Sequence, residues 1–271
     1  MPIDHNNEQQ AAFAFSKQSF IFDKLYAENA IVQYKRKRVR DHLLQYLPPA
    51  ANILELNAGT GDDAIFFARQ GHHTHATDIA KGMQEKLMEK VAAQNLSAFI
   101  SNELCSYTEL DTLKNKGPFD CIFSNFAGLN CTGEFDDVLH SFDRLLKPGG
   151  IVVLVVLPKF CLWETALIAK GKFKTATRRF FSNEGRKAKI DDAAFTCWYY
   201  NPGYIIKQLS NNFELLKVEG LCTIVPPSYI EHFAERYPAT FSRLCKMEEK
   251  LKEKWPWKFI GDYYIISFRK K

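Results

Sequence analysis

Short apolar runs and amphipathic stretches alternate along much of the chain, and their order predicts its architecture. Strand-like runs fall at 51–56, 73–78, 97–101, 119–124 and 150–157. Helix-period segments separate them at 61–70, 81–94, about 108–115 and 134–146. Strands alternating with helices predict an α/β fold with a doubly wound, mostly parallel sheet. Ahead of the first strand, residues 10–30 mix Phe13, Phe15, Phe20, Phe22 and Tyr26 with polar positions and read as short helices. Residues 30–47 read as one helix, apolar at Val32, Val39, Leu43 and Leu44 and basic from Lys35 to Arg40, stopped by Pro48-Pro49.

After Pro158 the rhythm breaks. Residues 159–200 are aromatic and basic, and a helix at about 203–212 and a strand at 213–223 restore the alternation. Pro226-Pro227 opens a mixed-charge helical stretch to about 254, and residues 262–268 read as a seventh strand. The expected division is a helical lid at 1–48, a core of 49–158, 201–225 and 259–271, a cap at 159–200 and a helical insertion at 226–258.

The first strand runs into Gly59-Thr60-Gly61-Asp62-Asp63-Ala64, and Asp78 closes the second strand 17 residues after Gly61. Glycines let backbone approach a ligand, and a carboxylate at that place takes ribose hydroxyls. The pattern G-x-G-x-x-A also marks dinucleotide sites, so charge has to separate the ligands. A diphosphate favours a bare helix N-terminus. Here Asp62 and Asp63 occupy the first turn and Glu55 ends the strand, which predicts repulsion of a diphosphate and tolerance of a cation.

With these residues in view, the chain resembles the class I S-adenosylmethionine-dependent methyltransferases. Glu55-Leu-Asn57-Ala-Gly59-Thr-Gly61 is similar to the family's first motif, and Thr77-Asp78-Ile79-Ala80 with Met83 to its acidic second motif. Phe119 to Asn125 is similar to the fourth strand, and Leu145-Leu-Lys-Pro-Gly-Gly150 with 151–154 to the turn and strand that follow. The likeness spans roughly residues 20–157 and points toward the small-molecule, ubiquinone/menaquinone-methyltransferase branch. It implies a Rossmann-like seven-stranded sheet and S-adenosylmethionine as cofactor. The cofactor residues it implies are Glu55, Asn57, Ala58, Gly59, Gly61, Asp78, Ile79, Met83, Cys105, Ser106, Asn125 and Phe126. Two positions depart from the family. Asn57 replaces a glycine, and asparagine is the side chain best able to keep positive φ. Glu103-Leu-Cys105-Ser106 carries no acid at the place where the family often has one near the adenine, which leaves Ser106 or backbone to meet the amino group.

Composition narrows the function class. The chain has 271 residues, 46% hydrophobic and 14% aromatic, enough for a full core, and it lacks an apolar run of membrane-spanning length. A polar N-terminus and seven scattered cysteines without a C-x-x-C suit reduced thiols and a cytoplasmic location. Net charge is +5, but residues 170–189 alone hold eight basic residues against Glu184. Arg178-Arg179 and the neighbouring lysines suit a carboxylate, phosphate or carrier arm, or RNA phosphate, or simply form a solvated face. No recognisable RNA-binding module accompanies them, so nucleic acid is not the expected partner.

Ligands on such sheets sit beyond the carboxyl ends of the strands, so the loop Asn125 to Asn130 is expected beside the donor and the acceptor. Substrate candidates are Tyr26, Leu129, Asn130, Trp163, Arg178, Tyr199 and Tyr200, with core packing the competing account of each. His72-His73-Thr74-His75 lacks a carboxylate or cysteine at ligand spacing and reads as surface histidines, so no metal is expected. No residue is assigned as catalytic: His140, His232 and Glu164 are conceivable bases, but methyl transfer from a sulfonium needs mainly proximity and a water-poor cavity. A nucleotide-dependent oxidoreductase, a non-catalytic binding protein and an RNA methyltransferase are the competing functions.

Overall fold

A computed structural model of the protein describes residues 5–171, 173–180, 184–190, 193–230 and 232–271. Helices α1 (His5–Ala27) and α2 (Ala30–Leu44) lead into β1 (Asn52–Leu56), α3 (Asp62–Arg69), β2 (His73–Asp78), α4 (Lys81–Ala93) and β3 (Ile100–Leu104). Then follow β4 (Phe119–Ser124), α5 (Phe135–Leu145) and β5 (Leu146–Val156). The segment after β5 holds α6 (Leu162–Thr165), α7 (Phe173–Ala176) and an antiparallel hairpin of β6 (Arg186–Ile190) and β7 (Ala193–Cys197). The chain closes with α8 (Pro202–Leu209), β8 (Phe213–Leu221), α9 (Phe233–Arg236), α10 (Pro238–Leu251) and β9 (Tyr263–Lys270). Seven strands form one sheet in the order β3-β2-β1-β4-β5-β9-β8, parallel except where β9 pairs antiparallel with β5 and β8.

The period-2 alternation of each buried strand sorts its side chains to two helical layers. Leu54, Leu56, Ile122, Val152 and Leu154 face α5 and α8, with Phe135, Phe142 and Ile205. Ile53, Cys121, Phe123, Val153 and Val155 face the other way, onto Val39 and Leu43 of α2 and Phe67 of α3. Glu55 shares the parity of Ile53, so its carboxyl also emerges on the side of α2 and α3.

Several local expectations shift. The aromatic-polar leader is one helix of 23 residues, not short pieces. It lacks a strong apolar stripe of its own and takes its order from what it lies on. The Asn7 amide donates to the carbonyls of Cys131 (2.8 Å) and Thr196 (3.1 Å), and Phe15 packs on Phe195 of β7. Near its middle α1 touches α4 so closely that a Cβ on Gly82 would lie 2.9 Å from the Ser16 carbonyl oxygen. The third strand begins at Ile100 rather than 97, and the helix expected at 108–115 is a 3-10 turn over Tyr107–Thr112. The hairpin β6–β7 falls where the sequence predicts no strands, since both are only five residues long and β6 is basic. His72 and His75 are buried, not surface residues: the Ala51 N–H donates to His72 Nδ1 and His75 Nδ1 meets the Ser101 hydroxyl.

Two buried carboxylates tie the C-terminal insertion to α2. Glu248 of α10 accepts the backbone N–H groups of Cys222, Thr223, Ile224 and Val225 at 2.8–2.9 Å and the Tyr34 hydroxyl at 3.2 Å. Glu219 of β8 accepts from Arg38 (3.0 Å) and lies beside His42 Nδ1 (3.0 Å) and Lys252 Nζ (3.1 Å). Burial alone would raise the Glu219 pKa, but His42, Arg38 and Lys252 together hold it at about 2. A depressed folded-state pKa contributes stability above the unfolded value that is lost as pH falls. Urea melts should therefore lose roughly 3 kcal/mol attributable to Glu219 between about pH 4.5 and 2. Glu219→Gln should be less stable at neutral pH and flatter across that window. An unaltered acid limb in the variant would show that the cluster does not couple to folding.

Candidate functional site

The strand order reverses between β1 and β4, and a cleft opens beyond their carboxyl ends, where such sheets bind ligands. It encloses about 830 Å³ of empty space, mouth included, a usual size for a small-molecule site. Its floor is the turn after β1. Gly61 has φ +79°, and a Cβ there would lie 2.5 Å from Leu87 of α4, so both backbone and space require glycine. The Gly59 and Ala80 N–H groups donate to the Asp78 carboxylate at 2.9 and 2.8 Å, locking β2's last residue against the glycine turn. Burial nonetheless raises the Asp78 pKa.

Asn57 does hold positive φ (+48°). Its side chain accepts from the Ser124 hydroxyl (2.6 Å) and donates to the Asn125 carbonyl (2.9 Å), bridging the two diverging strands. Asn125 in turn donates to Asp63 (2.8 Å).

Charge at this end differs from the sequence expectation. Asp62 and Asp63 do not present a bare negative first turn. Arg36 lies 3.2 Å from Asp62 and 3.5 Å from Asp63, Arg40 Nε 2.6 Å from Asp63, and Lys90 2.6 Å from Asp62. Burial would raise the Asp62 pKa, but Arg36, Lys90 and Arg40 bring it below the usual value. The two groups with unspent capacity are instead Glu55 and Arg36. Glu55 is 3% exposed, its Oε2 has no hydrogen-bond partner, and burial together with Asp63 raises its pKa well above normal. Arg36 is buried too, its Nε lacks a partner, and its guanidinium covers the Phe126 ring at 4.8 Å. Both line the cleft. An orphaned carboxyl and an underused guanidinium side by side suit a ligand carrying a cation and an anion close together.

Of the cofactor residues expected from sequence, Glu55, Asn57, Ala58, Gly59 and Asp78 line the cleft, as do Ile79, Met83, Asn125 and Phe126. Gly61 shapes the turn from behind it. Cys105 and Ser106 stand off the lining: the Cys105 thiol points to the Ser106 and Glu109 carbonyls, and the Ser106 hydroxyl bonds Glu8. Sequence reasoning missed the α1 residues Glu8, Ala11, Ala12 and Phe15, and also Arg36, Tyr107 and Cys131. The small-small-x-x-aromatic spacing of Ala11, Ala12 and Phe15 was the available signal for a helix lying on a ligand.

The substrate candidates do not converge on this cleft. Leu129 and Asn130 are fully buried, and the Asn130 amide donates to the Leu157 and Trp198 carbonyls. The Trp163 indole donates to the Thr223 carbonyl, and the Tyr200 hydroxyl to that of Thr132. Tyr199 packs under Arg179 at 5.2 Å. Arg178 holds Glu164 with two hydrogen bonds, and Arg179 bridges Glu164 (2.6 Å) and Asp262 (2.7 Å). The side chain of Tyr26 and the whole of Lys172 lie outside the described residues. Cys161, Glu164 and Asp262 cluster closely enough to suggest a cation site, but the Arg179 guanidinium already occupies that role. Glu164 is thereby spent as a base, while His140 and His232 are exposed and away from the cleft.

A family model described as a methyltransferase domain matches residues 53–150. The YqeM protein of Bacillus subtilis is 29% identical over 121 residues, covering 44% of this chain and 47% of that protein. The demethylmenaquinone methyltransferase of Bacillus licheniformis is 29% identical over 141 residues, covering 49% of this chain and 59% of that one. The chain thus spans about half the length of the curated relatives it matches. Among solved structures, the Burkholderia thailandensis 1,6-didemethyltoxoflavin-N1-methyltransferase, with bound 1,6-didemethyltoxoflavin and S-adenosylhomocysteine, aligns at TM-score 0.61 and 15% identity. That alignment covers 100% of this chain and 92% of that one, a likeness of fold.

The bridge made by Asn57 sets a measurable expectation. Asn57→Gly and Asn57→Ala both delete its hydrogen bonds, but only alanine keeps the penalty of positive φ. Asn57→Ala should therefore melt as the less stable of the two by about 1 kcal/mol. Equal stability, or the reverse order, would mean that the turn does not hold this backbone conformation.

Proposed function

We propose that the chain is a class I S-adenosylmethionine-dependent methyltransferase that transfers a methyl group from S-adenosylmethionine to a small organic acceptor. The observation that carries this reading is the pairing of Glu55 and Arg36 at one end of the cleft with Asp78 beyond the glycine turn. A ribose suits Asp78. An amino-acid end, ammonium beside carboxylate, suits an unpartnered carboxyl next to an unpartnered guanidinium nitrogen. A dinucleotide has no such zwitterion, and its diphosphate would meet the unpaired Glu55 carboxyl at the end of β1.

Bound S-adenosylmethionine supplies a methyl group already activated by the positive sulfur. The chain's own residues then have two tasks. Glu55, Arg36 and Asp78 hold and orient the donor. Phe126, held at φ +51° on the loop after β4, and the apolar side of α1 keep water out. Tyr107 and Cys131 also line the cleft, and burial pushes their pKa values well up, which keeps both protonated at neutral pH, while the Glu8 carboxyl there is engaged by the Ser106 and Thr108 hydroxyls. This fits an acceptor that needs little help losing a proton, with rate coming from proximity.

A small acceptor is favoured by the kinds of molecule the relatives modify: demethylmenaquinone in one and 1,6-didemethyltoxoflavin in another. The internal ion pairs of Arg178 and Arg179 count against an RNA-binding strip at those residues.

Calorimetry with S-adenosylhomocysteine tests the reading. Asp78→Ala should weaken binding by about tenfold or more, consistent with the loss of a charged hydrogen-bond acceptor. Because the Glu55 pKa is raised, wild-type affinity should climb as pH rises through it, and Glu55→Gln should remove that slope. A thermal shift with NAD(P) but none with S-adenosylhomocysteine would reject the donor assignment.

A further inference from the structure

We propose that Glu8, on the N-terminal helix, is the group by which this chain selects an amino-substituted purine at the base end of its donor. This rests on the donor reading above. The ligand's course across the sheet follows from the two ends already placed. Its amino-acid end lies near Glu55 and Arg36, and its ribose at Asp78 on β2. The base must then continue past β2 toward β3, the next strand, about 4.8 Å away.

The cleft wall in that direction is apolar in most of its length, built from Ile79, Met83, Tyr107 and, from α1, Ala11 and Phe15. One carboxyl side chain interrupts it. Glu8 is 6% exposed and lines the cleft. Its Oε2 accepts the Ser106 hydroxyl and the Thr108 hydroxyl, the latter at 3.1 Å. Among the described residues no lysine, arginine or histidine pairs with it, and the neighbouring charge is another carboxyl, Glu134.

A buried carboxyl without a cation is costly, so its presence asks for a use. The residues directly after β3, Cys105 and Ser106, carry no acid. The lid helix delivers one to the same turn from 98 residues upstream in sequence. A carboxylate oxygen accepts the exocyclic N–H of adenine and repels the 6-oxo group of hypoxanthine or guanine. A ligand that bonds Glu8 also ties α1 to the sheet, because the same helix already reaches the glycine turn through Asp23 and Thr60.

The test compares S-adenosylhomocysteine with S-inosylhomocysteine, which carries a 6-oxo group and an N1–H in place of the 6-amino group and bare N1. Calorimetry on the wild type should show the adenosine compound binding about tenfold or more tightly. Glu8→Gln, whose amide both donates and accepts, should shrink that ratio to about threefold or less while Asp78→Ala weakens both ligands alike. Equal binding of the two ligands by the wild type overturns the proposal without recourse to any variant, as does an undiminished ratio in Glu8→Gln. A wild type that binds neither ligand overturns the donor reading itself, a result distinct from equal binding.

Discussion

At the carboxyl end of β1 a carboxyl group is buried among other charges with one oxygen unpaired, and the surrounding architecture keeps it there. Glu55 is set in place by strand parity, which points it to the α2–α3 side. Asp63 raises the cost of ionising it, and Arg36 and Arg40 lower that cost. Such a group is expensive unless something completes it. The ion pairs around Asp62 and Asp63 fix the guanidinium of Arg36 beside it, and Asn125 fixes Asp63 from the other strand. The cleft is therefore preorganised: its donors and acceptors are oriented by one another before a ligand arrives.

The two N-terminal helices share the work of closing that site. Arg36 and Arg40 of α2 reach the first turn of α3, while Arg38 and His42 of the same helix reach Glu219 on the opposite edge of the sheet. A single helix thus joins the cleft to the C-terminal insertion, where Glu248 gathers four backbone N–H groups. Helix α1 lies across the cleft and contacts the glycine turn, the start of α4 and the hairpin β6–β7. The segment after β5 is pinned by Arg179, which links it to Asp262 at the entrance to β9.

The seven-stranded, mostly parallel core and the place of the cleft were legible in the chain, because the signals are local. A strand buried on both faces reads as an apolar run, a helix on a sheet repeats at 3.6 residues, and a turn at positive φ favours glycine or asparagine. Gly59, Gly61, Asn57 and Asp78 follow each other within one strand-turn-helix-strand unit, so their meeting in space is dictated by a few residues of connecting chain. The same holds for Asn125 and Phe126, one loop away on the neighbouring strand.

What tertiary structure alone decided is every contact between residues far apart in sequence. Whether Asp62 and Asp63 stand bare or paired depends on Arg36 and Arg40, more than twenty residues upstream on a different helix. Whether Arg178 and Tyr200 face a ligand or the interior depends on where Glu164 and Thr132 come to lie. Glu8 looks like any acid in a helix's first turn until folding buries it against Ser106. Charge pairing and burial are set by the three-dimensional neighbourhood, and the periodicity that writes a sheet into a sequence carries no record of which far-off cation or hydroxyl will arrive beside a given carboxylate.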